Sequence, residues 1–283
     1  MNRIDGDPAA DPAAGAGLDL ARIRAIEDAN LNGFPSDRLV MDGSWLARIS
    51  PGNPARRVNS LNVMDPLDDA DARARLDAML AVFAENDVVF HLRRTPLTPP
   101  ALVAIADAGG WGRTGETDVW VRPIGAAADA QEPDQAAGAA RLRPCTLEQF
   151  LSAFAAIGGT RPEAVTPLAV ARLGSALERI AVRRVTLVAE DDGGRPLGVV
   201  LGVADREMFG IYDLAVAPMA RRAGLGARLV RAAMARGAAS GCRHAWLQVT
   251  AENAPARALY RRLGFRDGYA YHYRLPPERP HGS

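Results

Sequence analysis

Two stretches of the chain place residue types at spacings suited to chemistry on an anionic ligand. The first is Arg221-Arg222-Ala223-Gly224-Leu225-Gly226, which follows the apolar run 209–216 and Pro218 and opens an amphipathic run ending at Gly237. Glycines at a turn entering a helix let backbone N–H groups close on a phosphate, and the helix N-terminus adds favourable potential for negative charge. Two arginines in the same turn add charge-assisted contacts. A surface loop that needs glycine only for its turn has the same letters, so the string takes its meaning from its context. A dinucleotide fingerprint G-x-G-x-x-G is excluded, because its third glycine falls at Leu229. The second stretch runs from Asn253 to Phe265, NAPARALYRRLGF. Asn253 sits where a helix cap belongs, and Tyr260, seven residues on, returns to nearly the same helix face. Either the pair addresses one ligand, or Asn253 is a cap and Tyr260 a core aromatic.

Composition bounds the chemistry further. All 34 basic residues are arginine, so a Schiff-base lysine and a lysine-bearing phosphate loop are both excluded. The net charge of +1 hides an asymmetry: residues 1–140 hold 13 arginines against 21 carboxylates, and residues 141–283 hold 21 against 12. The basic C-terminal half points to an anionic ligand there, while near-neutrality overall argues against a dedicated nucleic-acid binder. Cys145 and Cys242 are too few for a disulfide framework, and His91, His244, His272 and His281 form no ligand cluster, so no metal is expected. No run of about 18 apolar residues and no secretory leader is present, which makes a cytoplasmic protein without a membrane partner the expectation.

The elements that must hold these residues follow from periodicity. With 283 residues, 48% of them hydrophobic, the chain has material for two domains. Residues 1–17 and 124–140 are small, acidic and aperiodic and read as a tail and a linker, as do 278–283 at the other end. In the first half the pattern predicts a helix over 18–29, a hairpin over 38–49 about Asp42-Gly43, a strand over 57–63, a helix over 67–84, a strand over 88–92, a helix over 99–108 and a strand over 117–121. In the second it predicts helices over 146–157 and 166–181, antiparallel strands over 184–189 and 197–203, and a strand over 209–216. A helix over 224–237, a strand over 245–250, a helix over 255–263 and a strand over 269–275 follow. Strands first antiparallel and then separated by helices imply an α/β (α+β) fold with a mixed, mostly antiparallel sheet flanked by helices. Residues 101–123 can be laid on 255–277 by matching Gly110-Trp111 to Gly264-Phe265, a weak echo that predicts two similar domains in tandem, 18–123 and 141–277.

Taken together, the strand Tyr212-Asp213-Leu214-Ala215-Val216-Ala217-Pro218, the R-x-x-G-x-G turn and the N-x-x-A-x-x-x-Y-x-x-L-G-F run resemble the GNAT superfamily of acyl-CoA-dependent N-acetyltransferases over about 141–277. The resemblance implies that acetyl-CoA lies between two splayed strands. It implies that Leu214, Ala215 and Val216 pair with the pantetheine, and that Arg221, Arg222, Ala223, Gly224, Leu225, Gly226 and Ala227 cradle the pyrophosphate. Asn253 and Ala256 would contact the cofactor arm, and Tyr260 would act as general acid toward the departing thiolate. The thioester needs a neutral amine, so a base must take the amine proton. Asp213 is the candidate, with Glu207 beside the same strand and a surface role open for both. Protein N-terminal acetyltransferases of similar type commonly carry a glutamate five residues before the asparagine. Here that position is Gln248, which makes N-terminal acetylation of proteins the weaker expectation.

The N-terminal half lacks the chemistry. Ala106 and Pro99 occupy the places of Tyr260 and Asn253 in the echo, and no R-x-x-G-x-G precedes residue 140, so this half is expected to be a degenerate GNAT-like repeat. Its Arg56-Arg57-Val58-Asn59-Ser60 segment resembles one found in N-terminal halves of some bacterial GNAT proteins, which raises a role in lining the acceptor site beside the plainer reading of a polar strand. The expected activity is direct acetyl transfer to a primary amine of a small molecule or peptide. A non-catalytic acyl-CoA-binding regulator is the alternative. The acceptor, whether antibiotic, polyamine, amino acid or peptide, and the oligomeric state, including a homodimer, stay open.

Overall fold

The structure is a computed structural model that describes residues 17–125, 140–160 and 162–277. Nearly all of the expected linker and both tails lie outside these residues. Among the described residues, α1 (Leu20–Gly33) is followed by the hairpin β1 (Arg38–Asp42) and β2 (Trp45–Ile49), β3 (Ser60–Val63), α2 (Ala72–Glu85), β4 (Leu92–Arg94), α3 (Pro100–Ala108) and β5 (Gly112–Pro123). The second half runs β6 (Arg141–Pro144), α4 (Leu147–Ala156), α5 (Pro167–Glu178), β7 (Arg183–Glu190), β8 (Pro196–Asp205), β9 (Met208–Val216), α6 (Leu225–Ala239), β10 (His244–Thr250), α7 (Ala254–Arg262) and β11 (Arg266–Leu275).

All the strands join one sheet, in the order β1-β2-β3-β4-β11-β5-β10-β9-β8-β7-β6. The order exposes an exchange between the halves. The last strand of the C-terminal half, β11, lies between β4 and β5, and the last strand of the N-terminal half, β5, lies between β10 and β11. The register runs from His244 opposite Pro123 to Thr250 opposite Thr117 on one side of β5, and from Arg266 opposite Val121 to Leu275 opposite Gly112 on the other. The sequence echo between 101–123 and 255–277 therefore corresponds to α3-β5 and α7-β11, two equivalent helix-strand units whose strands pair antiparallel at the centre. Each half lends the strand that completes the other, so no sheet edge is left at the junction.

Three differences from the sequence expectations have local causes. The helix expected from Leu67 begins at Ala72, because Asp68 instead caps the β1-β2 hairpin, accepting from Ser44 N and Oγ at 2.8 and 2.7 Å and pairing with Arg75 at 2.7 Å. The strand expected over 88–92 is displaced to Leu92–Arg94: Val88 N donates to Phe83 O at the end of α2, and pairing with β3 begins at Leu92 opposite Leu61. The edge strand β6 was not expected, since Leu142 alone is aliphatic in its four residues.

The two faces of the sheet differ in what covers them. In the C-terminal half one face carries Phe209, Ile211, Leu247 and Val249 against α6 and α7, and the other carries Tyr212, Trp246, Val199 and Leu201 against α4, α5 and α1. Helix α1, although encoded first, crosses onto the C-terminal half: Asn32 Nδ2 donates to Asp205 Oδ2 at 2.7 Å, and Arg206 pairs with Asp28 at 3.7 Å. Its N-cap is Asp19, whose carboxylate accepts from Arg22 N at 2.7 Å.

Candidate active site

Strands β9 and β10 run parallel and pair from His244 opposite Met208 as far as Leu247 opposite Ile211. Beyond that point both continue without pairing to each other, so a V opens between 212–216 and 248–250. A bulge causes the divergence. Asp213 has φ 45°, and the register of β9 against β8 shifts between Tyr212 opposite Leu201 and Ala215 opposite Val199. One extra residue bends the strand, turns its free edge outward and re-aims the side chains beside it. The edge of Leu214, Ala215 and Val216 toward β10 thus lacks a strand partner. The Val216 carbonyl instead accepts from Arg221 Nε at 3.0 Å, so of the three residues expected to pair with a pantetheine this one has an occupant.

At the mouth of the V the chain enters α6. Arg222 and Gly224 both adopt positive φ, 64° and 81°, which turns successive backbone N–H groups toward one concavity. Gly224 is the N-cap and no side chain caps the helix, so the first N–H groups, over Leu225, Gly226 and Ala227, point out unsatisfied. A Cβ at Gly224 would meet nothing within 4 Å, and one at Gly226 would lie 3.4 Å from Leu259, so the backbone is open on this side of the turn. Arg221, Arg222 and Ala223 stand exposed around this turn, and Arg222 forms no ion pair among the described residues. Uncapped N–H groups beside exposed arginines make this turn chemically suited to an anion.

Helix α7 forms the far wall. The Asn253 side chain caps it, accepting from Ala256 N at 3.2 Å, and Asn253 itself is exposed. The capping reading therefore holds for the side-chain oxygen, and the amide nitrogen remains available. Tyr260, seven residues on, turns to the inner side, packs edge-on against Phe265 and is 8% exposed. Its hydroxyl has no hydrogen-bond partner among the described residues, and burial pushes its pKa up to about 12. It therefore holds its proton at neutral pH and can donate it.

The other face of the V is polar. Asp213 has one carboxylate oxygen enclosed without a partner, and burial raises its pKa, with Arg57 opposing the shift. Tyr212, on the same strand, has a buried, unpartnered hydroxyl directed at Gly33, where α1 ends. The next residue, Phe34, carries the Arg57 guanidinium 3.9 Å above its ring and offers its carbonyl to Arg48. Gln248 is held at both ends of its amide, donating to Asn30 at 2.9 Å and accepting from Tyr271 at 2.8 Å, so it ties α1 to the sheet. Glu207 lies at the remote end of β9, paired with Arg243 at 3.4 Å, away from the V.

The structure brings the glycine turn, Asp213 and α7, all singled out in the sequence, to the two sides of the V, and it adds groups from α1 and β2 to β4 that the sequence did not point to. Chief among these is an ion pair buried at the junction: Arg93 donates to Glu27 at 2.8 and 3.2 Å, with the two side chains 1% and 2% exposed. Tyr269 also donates to Glu27, at 2.6 Å, and Arg93 lies 3.4 Å over the Tyr271 ring. Glu27→Gln leaves Arg93 buried without its counter-ion, and urea denaturation is expected to show a loss of about 3 kcal/mol.

Residues 161–265 match the Acetyltransferase (GNAT) family. A curated relative, a mycothiol acetyltransferase of Clavibacter michiganensis subsp. michiganensis, is 41% identical over 81 residues, which is 29% of this chain and only 26% of the length of that relative. Among solved structures, a GCN5-related N-acetyltransferase from Kribbella flavida superposes with a TM-score of 0.66 at 21% identity, covering 93% of this chain and 98% of that one. A tandem GNAT protein from the clavulanic acid biosynthesis pathway superposes with a TM-score of 0.62 at 15% identity, covering 95% and 91%. This chain therefore has the fold of tandem GNAT proteins, and its residues 161–265 match the acetyltransferase (GNAT) family.

Proposed function

We propose that this protein is an acetyl-CoA-dependent N-acetyltransferase that passes an acetyl group to a primary amine of a small molecule or peptide by direct attack in a ternary complex. The observation that carries the reading is the conjunction of the open V between β9 and β10 with the uncapped, glycine-lined N-terminus of α6 at its mouth. The 141–277 domain is then the catalytic one, and 18–123 the degenerate repeat.

When bound, acetyl-CoA supplies a thioester carbonyl open to an amine and a thiolate as leaving group. The α6 turn, from Arg221 to Ala227, holds the pyrophosphate through backbone N–H groups and arginine. The free edge of Leu214 and Ala215 orients the pantetheine, and Asn253 and Ala256 at the start of α7 flank it. Asp213 accepts the amine proton as the N–C bond forms. Tyr260 gives its proton to sulfur as the C–S bond breaks, and is then reprotonated, so charge balances over the cycle. Both cysteines are unsuited to an acyl-enzyme: burial pushes the Cys242 thiol up to about 11 and raises that of Cys145, which keeps each in the unreactive thiol form.

Steady-state thiol release from acetyl-CoA with a pooled amine library tests the activity. Tyr260→Phe is expected to lower kcat by about tenfold with acetyl-CoA affinity unchanged, since it deletes one proton donor and no packing. An acetylated cysteine trapped during turnover, or a Tyr260→Phe variant as fast as wild type, contradicts the mechanism.

A further inference from the structure

Strands β2, β3 and β4 alternate as sheets do, but their second face is unusual. One face, with Trp45, Ala47, Ile49, Leu61, Val63 and Leu92, forms an apolar core with α2 and α3. The other presents Arg48, Ser60, Asn62 and Arg93, all buried. Polar residues on the outer face of a sheet ordinarily meet water, whereas α1 and the Phe34 segment have closed over these. Buried polar groups cost free energy unless they find partners, and here the pairing is incomplete. Asn62 Oδ1 has no hydrogen-bond partner. Glu27 neutralises Arg93 alone. Arg48, 2% exposed, meets only the Phe34 carbonyl among the described residues. Arg57 is stacked on the Phe34 ring, and Arg56 donates to Thr114 Oγ1 at 3.0 Å and lies 5.4 Å over the Tyr273 ring. None of these three arginines has an ion pair among the described residues. The crowding is felt at Arg48, whose pKa burial, with Arg93 and Arg57 adding to it, lowers to about 10.

The positive cluster adjoins the transfer centre. Arg57 lies 3.9 Å over the ring of Phe34, the residue after Gly33, which the Tyr212 hydroxyl of β9 approaches, so the cluster borders the strand of Asp213. A planar guanidinium with free donors is suited to bidentate contact with a carboxylate or phosphate.

We propose that the acceptor amine carries an anionic group, a carboxylate or a phosphate, which Arg48, Arg56 and Arg57 of the N-terminal half bind while the amine faces Asp213. The proposal rests on the acetyltransferase reading above and names its acceptor class. The degenerate half is then an acceptor-binding domain, and the buried polar face of its sheet is a specificity site.

The test compares matched amines on the full chain saturated with acetyl-CoA, reading thiol release: β-alanine against β-alaninamide, glycine against glycinamide, O-phosphoethanolamine against ethanolamine, and spermidine as a cationic acceptor. The anion-bearing member of a pair is expected to exceed its neutral partner at least about tenfold in kcat/KM, and the arm in which it does so identifies carboxylate or phosphate. Arg57→Gln is expected to raise KM for the anionic acceptor about tenfold and to erase the preference, Arg57→Lys to restore part of it, and both to bind acetyl-CoA as wild type does by calorimetry. Preference for neutral amines or spermidine, equal loss on both members of a pair in Arg57→Gln, or no turnover of any anion-bearing amine overturns the proposal. Failure of wild type to bind acetyl-CoA is a separate result, which removes the underlying reading and the acceptor assignment with it.

Discussion

Gly224→Glu is expected to abolish useful acetyl-CoA binding, weakening it at least about a hundredfold by calorimetric titration. The effect follows from where the residue sits. Gly224 is the N-cap of α6 at φ 81°, with nothing within 4 Å of its Cβ position, so a side chain introduced there projects into open space beside the unsatisfied N–H groups. A carboxylate about 4 Å from a pyrophosphate charge costs roughly 3 kcal/mol or more at the dielectric of a protein surface, and 1.4 kcal/mol is tenfold in affinity. Glutamate at a left-handed position also strains the turn by about 1 to 2 kcal/mol. Gly224→Asn separates the two contributions, since asparagine tolerates that backbone and carries no charge, and it is expected to stay within several-fold of wild type. If Gly224→Glu binds as wild type does, the α6 turn is not the phosphate site.

Asp213→Asn is expected to lower kcat by about a hundredfold to ten-thousandfold with a single acceptor, the range for loss of a general base. The pH profile gives the sharper signature. Burial raises the Asp213 pKa, so the carboxyl becomes a competent base only as pH climbs through that raised value, and wild-type kcat/KM rises there. In Asp213→Asn this limb disappears, and the remaining rise belongs to the acceptor amine. Stability moves the other way. A carboxyl whose folded pKa lies above its unfolded value stabilises the fold fully only at low pH, and that contribution is lost as pH rises through the folded pKa. Asn at 213 ends the penalty of an enclosed charge, so Tm at neutral pH is expected to rise or hold. A variant with reduced activity and a lower Tm would place Asp213 in the scaffold rather than the chemistry.

What the sequence made legible were features whose local rules need no partner. The glycines of 224–226 mark a turn entering a helix, and Asn253 is a cap of standard kind. The V itself was foreseen through the motif resemblance, whereas its cause, the bulge at Asp213, has no residue signature, because aspartate at φ 45° is held there by the register of β8. The strand exchange was hidden for a related reason. The alternation along 112–123 and 266–275 says which side chains share a face and nothing about which strand lies alongside. Only the echo of 101–123 in 255–277 hinted that the two strands are equivalent.

The arginine cluster was the least legible part. Arg48 lies between Ala47 and Ile49, and Arg93 follows Leu92, a spacing that in an antiparallel or edge strand ordinarily means a wetted face. Their burial is a consequence of α1, more than twelve residues away in sequence, crossing over the sheet and carrying Glu27 and Asn30 inward. The Arg56 to Ser60 segment divides in two. Asn59 pins the turn at 50–53, accepting from Ser50 N at 2.7 Å, while Arg56 and Arg57 face the junction. Of the polar strand expected over these five residues only Ser60 belongs to β3, since Arg56–Val58 form a single 3-10 turn before it.

The most direct measurement of the central claim is calorimetric titration of acetyl-CoA and free CoA into the wild-type chain, followed by thiol release from the same samples with the amine library. The account predicts saturable one-to-one binding of both, with release only when an amine is present. Absence of binding by either would contradict it, and binding without release for every amine would make the chain an acyl-CoA-binding regulator instead.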